Sequence, residues 1–277
     1  MQSLDEGILT SVIAPRAAQS HKGDYGRVCL IGGNSQYGGA IIMAAEASVY
    51  SGSGLTTVVT HPVNHTALHS RLPEAMVVDW YDNAAVAALL PQMDVIVIGP
   101  GLGLGDESLA LLKFALSCAT EHQYWVIDGS AITLLASHNI ALHYPQRIIY
   151  TPHQMEWARL SGLPLEAQTE VANRRIRAQL NSTVVLKKHH SEIYSSQGER
   201  RLPIGSPAMA TGGMGDPLTG IIAGVLAQFP HSSSALFAAV YIHSFIGDSL
   251  AQQRYVVLPT QLIKQLPEVM QRFCCKR

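Results

Sequence analysis

The residues best equipped for chemistry lie in one run, Ala210-Thr211-Gly212-Gly213-Met214-Gly215-Asp216-Pro217-Leu218-Thr219-Gly220. Leu218, Ile221, Ile222, Val225, Leu226 and Phe229 follow at helical spacing, which predicts a helix over 217–229. Pro217 suits the first helical position, and Asp216 then falls at the N-cap. Gly212, Gly213 and Gly215 permit positive φ and close backbone approach to a ligand. The N–H groups of Gly212, Gly213, Met214 and Gly215 would then form an anion hole at a helix N-terminus. A carboxylate beside an anion site is useful when it handles a proton. Phosphoryl transfer asks for that combination: donors that neutralise charge, and Asp216 as the base on the attacking hydroxyl. Read alone, the run serves equally well as a turn and helix cap. The rest of the chain decides.

Further candidates stand where apolar runs end. Lys187 follows Thr183–Leu186 and suits a nucleotide phosphate, or a lysine snorkelling at the sheet rim. Asp128 follows Tyr124–Ile127 and suits magnesium held through water, or the cap of a following helix. His153 follows Thr151-Pro152 and is either a substrate contact or an exposed loop histidine. His189 and His190 are adjacent, so on an extended segment they point to opposite sides; they read as loop and not as a metal pair. No residue set is assigned to a metal by spacing. Lys22, in the turn-rich His21–Gly26 segment, reads as solvated.

These residues need a scaffold, and the chain supplies an alternating one. Apolar strand patterns occur at 27–31, 55–60, 75–78, 94–98, 124–127, 147–150 and 183–186. Helical patterns fit 4–13, 40–50, 83–92, 106–120, 154–161, 166–180, 217–229, 233–252 and 259–272. Residues 195–205 read as loop with a possible β-excursion. Near-continuous apolar strands alternating with helices predict an α/β fold with a mainly parallel central sheet flanked by helices on both faces. Ligands in such sheets bind beyond the carboxyl ends of the strands. Gly32-Gly33, Gly99–Gly103, Asp128, His153, Lys187 and the 212–216 loop all fall there. The Gly32–Gly39 loop lacks the dinucleotide spacing and reads as backbone lining a cleft.

Composition narrows the function classes. The 277 residues are 47% hydrophobic and 14% charged, with a net charge of −1. That excludes the basic footprint of a nucleic-acid binder. No apolar run is long enough to span a bilayer, and no signal pattern opens the chain. Cys29, Cys118, Cys274 and Cys275 match neither a zinc site nor a disulfide framework, so a reducing, cytoplasmic setting is expected.

The chain resembles the ADP- or ATP-dependent NAD(P)H-hydrate dehydratases of the ribokinase-like superfamily. The resemblance spans nearly the whole chain and rests on ordered blocks: His21–Arg27, Ile31-Gly32-Gly33, Tyr37-Gly38-Gly39-Ala40, Gly52–Leu55, Gly99–Gly103, Asp128, Thr151-Pro152-His153 with Glu156, Lys187, and Ala210–Asp216. It implies one ribokinase-like domain over 1–277. It also implies repair of NADH and NADPH hydrated on the nicotinamide ring (NADHX and NADPHX). In that chemistry the ring hydroxyl takes a phosphoryl group from ADP or ATP with Mg2+, and phosphate then leaves. Phosphate is a better leaving group than hydroxide. By resemblance, Asp216 is the base, and Ala40, Gly103 and His153 contact the hydrated dinucleotide. Lys187, Lys188, His189, His190, Ser191 and Gly215 hold the adenine nucleotide. The resemblance further implies a tetramer and a companion NAD(P)H-hydrate epimerase. Four places depart from the family pattern: Lys188-His189-His190 for a small glycine-rich turn, Pro217 for an aliphatic residue, Gly129-Ser130 for Ala-Asp, and Gln154-Met155 for Pro-Gly. They keep two alternatives open, a small-molecule kinase and a nucleotide-binding regulator without turnover.

Overall fold

The computed structural model describes residues 1–138, 140–230 and 234–274. In chain order they form β1 (Gln2–Ser3), α1 (Gly7–Val12), β2 (Arg27–Ile31), α2 (Gly38–Tyr50), β3 (Leu55–Thr60), α3 (His65–Arg71) and β4 (Met76–Asp79). Then follow α4 (Asn83–Leu89), β5 (Val95–Ile98), α5 (Asp106–Ser117), β6 (Tyr124–Ile127), α6 (Gly129–Ser137), β7 (Ile148–Tyr150), α7 (Gln154–Ser161) and α8 (Glu170–Leu180). The chain closes with β8 (Thr183–Leu186), β9 (Glu192–Ser195), β10 (Gly198–Arg201), α9 (Gly215–Gln228), α10 (Ala235–Ala251) and α11 (Pro259–Cys274). The expected helix start at Ser233, and Cys275, lie outside the described residues.

The strands join one sheet in the order β1-β10-β9-β8-β7-β6-β5-β2-β3-β4. From β4 across to β8 every neighbour is parallel, whereas β9 is antiparallel to both β8 and β10. Alternation along each strand feeds two cores. Val28 and Leu30 of β2, with Val95 and Val97 of β5, face α1, α2, α9, α10 and α11. Cys29, Ile31, Ile96 and Ile98 face the layer of α4 to α8. Burial on both sides is why these strands read as unbroken apolar runs.

The chain turns in opposite directions after β2 and after β5, which are neighbours, so a switch point opens between their carboxyl ends. There the two glycine loops interlock. Gly33 N–H donates to the Pro100 carbonyl at 2.9 Å and Asn34 N–H to the Gly101 carbonyl at 2.8 Å. A Cβ on Gly32 would meet the Pro100 oxygen at 2.1 Å, so this approach requires glycine. Below the sheet, α9 packs on α2 at comparably close range: a Cβ on Gly220 would lie 2.0 Å from the Ala44 carbonyl oxygen.

Several elements differ from the sequence expectation. α9 begins two residues earlier than expected, so Met214 is the N-cap, and Asp216 and Pro217 sit inside the first turn. Proline is tolerated there because the first N–H groups of any helix have no intrahelical acceptor. α3 was not expected, and α6 only as the helix that Asp128 could cap; α3 buries only Leu68, too little to leave a periodic signal. The 195–205 segment is the second half of a hairpin, and β9 begins before it, at Glu192. His189 and His190 do not point apart. His190 adopts φ 57°, which breaks the extended geometry, and the two rings stack with centroids 3.8 Å apart.

Candidate active site

A cavity of about 700 Å³ opens beyond the carboxyl ends of β7 and β8. It is lined by His153, the whole Lys187–Ser191 turn, the 204–210 loop, Met214, Gly215 and His243. The fold explains the gathering. β8 turns back into antiparallel β9, so Lys187–Ser191 is forced to the sheet rim. Lys187 also forms the last rung of the parallel ladder with His153, its N–H donating to the Pro152 carbonyl at 2.8 Å.

Lys187 reaches from the rim to Asp128. Its Nζ donates to Asp128 Oδ1 at 2.6 Å, and Thr151 Oγ1 donates to the same oxygen at 2.7 Å. Asp128 occupies the N-cap position of α6 yet makes no capping bond, because its carboxylate is spent on this pair. Burial works against the Lys187 charge; Asp128, Glu156 and Asp216 outweigh it and hold the ammonium above the usual lysine value. The first turn of α9 presses against this pair. A Cβ on Gly215 would stand 3.1 Å from Lys187 Nζ and 3.9 Å from Asp128 Oδ2.

Asp216 lies in the same first turn. Burial and then repulsion from Asp128 push its carboxyl up to about 7, with Lys187 pulling the other way. Among the described residues, the N–H groups of Gly212, Gly213 and Gly215 donate to no protein acceptor. Those of Met214 and Asp216 turn inward, to the Thr211 carbonyl at 3.4 Å and the Gly213 carbonyl at 3.2 Å. The run therefore presents three free donors beside a carboxylate poised near neutrality. Gly213 holds φ 84°, and a Cβ there would meet Met43 Cε at 2.6 Å and Asp216 Oδ2 at 3.5 Å.

Of the expected dinucleotide contacts, Ala40 lies in the first turn of α2 and Gly103 on the loop after β5. A Cβ on Gly101 would be 3.1 Å from the Ala40 Cβ, and one on Gly103 would be 2.4 Å from Asn34 Nδ2. Ser130, one of the departures from the family pattern, accepts from Gly103 N–H at 3.2 Å. His153 is half exposed and caps α7: its Nδ1 accepts from the N–H groups of Met155 and Glu156, and Glu156 accepts in return from His153 N–H. With Nδ1 engaged as an acceptor, Nε2 carries the proton.

Two functional candidates escaped the sequence reading. Glu192, 2% exposed, accepts from Lys188 Nζ and Arg201 Nη2 at 2.7 Å each and from Tyr194 Oη at 2.7 Å. Burial alone would raise its pKa; those three hydrogen bonds hold it below the usual carboxylate range. Glu192 thus anchors the atypical Lys188–His190 turn. The other is His243 in α10, buried beside Ser244 on a mostly apolar helix, whose only sequence signal was its place in an apolar stretch.

A mainly parallel sheet with a switch point, and a glycine-led helix start carrying a carboxylate beyond its strand ends, define a ribokinase-like α/β protein. The chain belongs to the NAD(P)H-hydrate dehydratase family: a family model of that description matches residues 28–268. It is 50% identical over 273 residues, 99% of this chain and 94% of the relative, to the ADP-dependent (S)-NAD(P)H-hydrate dehydratase of Enterococcus faecalis. A crystal structure of a ribokinase-like superfamily protein from Enterococcus faecalis superposes with TM-score 0.97 at 50% identity, covering 98% of this chain and 96% of that one. The ADP/ATP-dependent NAD(P)H-hydrate dehydratase of Bacillus subtilis, co-crystallised with ATP/Mg2+, superposes with TM-score 0.86 at 28% identity, covering 98% of each chain.

Proposed function

We propose that this chain restores NADH and NADPH from NADHX and NADPHX, using ADP as phosphoryl donor, and that Asp216 is its general base. The observation that carries the reading is the Asp216 carboxyl, at about 7, beside the free N–H groups of Gly212, Gly213 and Gly215 and facing the Lys187 charge. A base works best near the operating pH, and donors aimed at developing charge cost no reorganisation.

The steps balance. Asp216 takes the proton of the ring hydroxyl as its oxygen attacks the β-phosphorus of ADP, and AMP leaves. The glycine N–H groups hold the transferring phosphoryl, and Lys187, fixed by Asp128 and Thr151, offsets charge at the leaving phosphate. The ring nitrogen then pushes its lone pair toward the departing carbon–oxygen bond. Phosphate leaves, and loss of a proton from the adjacent carbon restores the double bond. Ala40, Gly103 and His153 orient the dinucleotide, and the Lys187–Ser191 turn with Gly215 lines the nucleotide cavity.

Magnesium carried on nucleotide phosphates needs one or two protein carboxylates, not a cage. Asp128 and Asp216 fit that need, since their mutual repulsion is what a cation between them would relieve. Bound there, the ion would supply charge neutralisation. Among the described residues no group of three His, Cys, Asp or Glu side chains could hold a metal unaided.

A companion NAD(P)H-hydrate epimerase follows from stereochemistry, because a dehydratase selective for one configuration leaves the other epimer untouched. A tetramer belongs to the same proposal and is checked by mass in solution. The function is tested by product stoichiometry. The reading expects one AMP and one phosphate for each NADH formed. A stable phosphorylated product without NADH would favour the small-molecule kinase instead, and nucleotide binding with no product would favour the regulator.

A further inference from the structure

His243 touches the anion loop from behind. It lies in α10, 7% exposed, lines the nucleotide cavity, and its Nε2 is 3.1 Å from the Met214 carbonyl oxygen. A carbonyl only accepts, so Nε2 must carry the proton in this contact. Burial lowers the ring's pKa to about 4, opposed by the Met214 hydrogen bond, with Lys187 lowering it further. The imidazole is therefore neutral near pH 7 and can hold this tautomer.

The Met214–Gly215 peptide is trans, as there are no cis peptides among the described residues, and a trans peptide is planar. Its carbonyl and its N–H point in opposite directions. Fixing the Met214 oxygen on His243 therefore aims the Gly215 N–H away from α10. Among the described residues that N–H has no protein acceptor, and the same residue abuts Lys187. Met214 is the N-cap of α9, and an N-cap carbonyl also accepts the first bond of its helix, so His243 supplies a second hold on this oxygen.

We propose that His243 is a positioning residue that sets the aim of the Gly215 N–H toward the phosphate of the bound nucleotide. The inference rests on the proposed use of the loop as an anion hole. It also gives the buried ring a use: it is an anchor, and the atom it serves lies one peptide bond away.

The test compares His243→Phe with His243→Gln in the full chain. Phenylalanine keeps the ring and the packing but loses the donor. Glutamine places an amide N–H near the position of Nε2. Binding of ADP and of adenosine is measured by calorimetry for each, alongside turnover at saturating ADP. Loss of aim is expected to weaken ADP about tenfold in His243→Phe, leave adenosine within twofold, and cut turnover at least tenfold, with His243→Gln recovering most of both. An unchanged ratio of ADP to adenosine affinity in His243→Phe would overturn the proposal. So would equal weakening of both ligands, or no recovery by glutamine, because His243 would then act only through packing. The affinity ratio does not depend on dehydration, so failure of the proposed activity in the wild type would leave this test intact.

Discussion

Asp216 and Asp128 divide one job between two carboxylates. Asp128 spends its charge on Lys187 and Thr151, whereas Asp216, inside the first turn of α9, keeps its proton to higher pH. The acidic limb of kcat/KM is therefore expected near pH 7, where the free enzyme's base ionises. Asp128→Asn removes a negative neighbour, so it should move that limb to lower pH; a limb that stays put, or moves up, would show that Asp128 does not set the Asp216 pKa. Asp216 was legible in the sequence because glycines, a carboxylate and a helix start fell together. The Lys187–Asp128 pair was not legible as a pair. The two are 59 residues apart, and each had a bland reading of its own as a rim lysine and a helix cap. Only the parallel ordering of β6, β7 and β8 brings them within 2.6 Å.

At the scale of elements, the site depends on how α9 seats against α2. Gly220 leaves no room for a methyl group beside the Ala44 carbonyl. Gly220→Ala should cost about 1–3 kcal/mol of stability and lower turnover, since α9 carries Asp216 at its start. Denaturant unfolding with an activity assay checks both, and an unchanged midpoint would count against this packing. The hairpin of β9 and β10 matters for a different reason. Glu192→Ala removes the anchor of Lys188 and leaves the buried Tyr194 hydroxyl without its acceptor, at a cost of about 1–3 kcal/mol. ADP affinity should fall with it, while wild-type ADP affinity in the variant would detach the turn from the nucleotide. The long helices and the buried parallel strands were legible from periodicity. The hairpin was legible only as a possible β-excursion over 195–205, because Glu192, Glu199 and Arg201 are polar and pair with each other and with Arg174 of α8. The start of α9 was displaced by two residues because Pro217 suits the third helical position as well as the first.

Over the whole molecule, cavity size does not pick out the site. A second cavity of about 700 Å³, lined by Tyr50, Phe229, Pro267 and Met270 among others, lies at the other ends of α2 and α9. Chemistry separates the two, since the strand ends deliver Lys187, Asp128 and the free N–H groups to one end only. Concentrating charge there has a stability signature. Asp216 ionises near 3.8 in the unfolded chain and near 7 in the folded one. Between those values unfolding releases a proton, so stability falls as pH rises through that window. Asp216→Asn should therefore stabilise the fold at pH 8 by an amount that shrinks toward zero near pH 4. Thermal unfolding across that range checks it, and a pH-independent difference would contradict the raised pKa.

The most direct test of the central claim is the recovery of NADH absorbance from NADHX, with ADP and magnesium, by wild type and by Asp216→Asn. Wild type should restore the absorbance. Asp216→Asn should still bind ADP but restore it at least a hundredfold more slowly, as loss of a general base requires. Recovery at the wild-type rate in Asp216→Asn would contradict the assignment of the base. ADP binding by wild type with no recovery at all would contradict the activity itself.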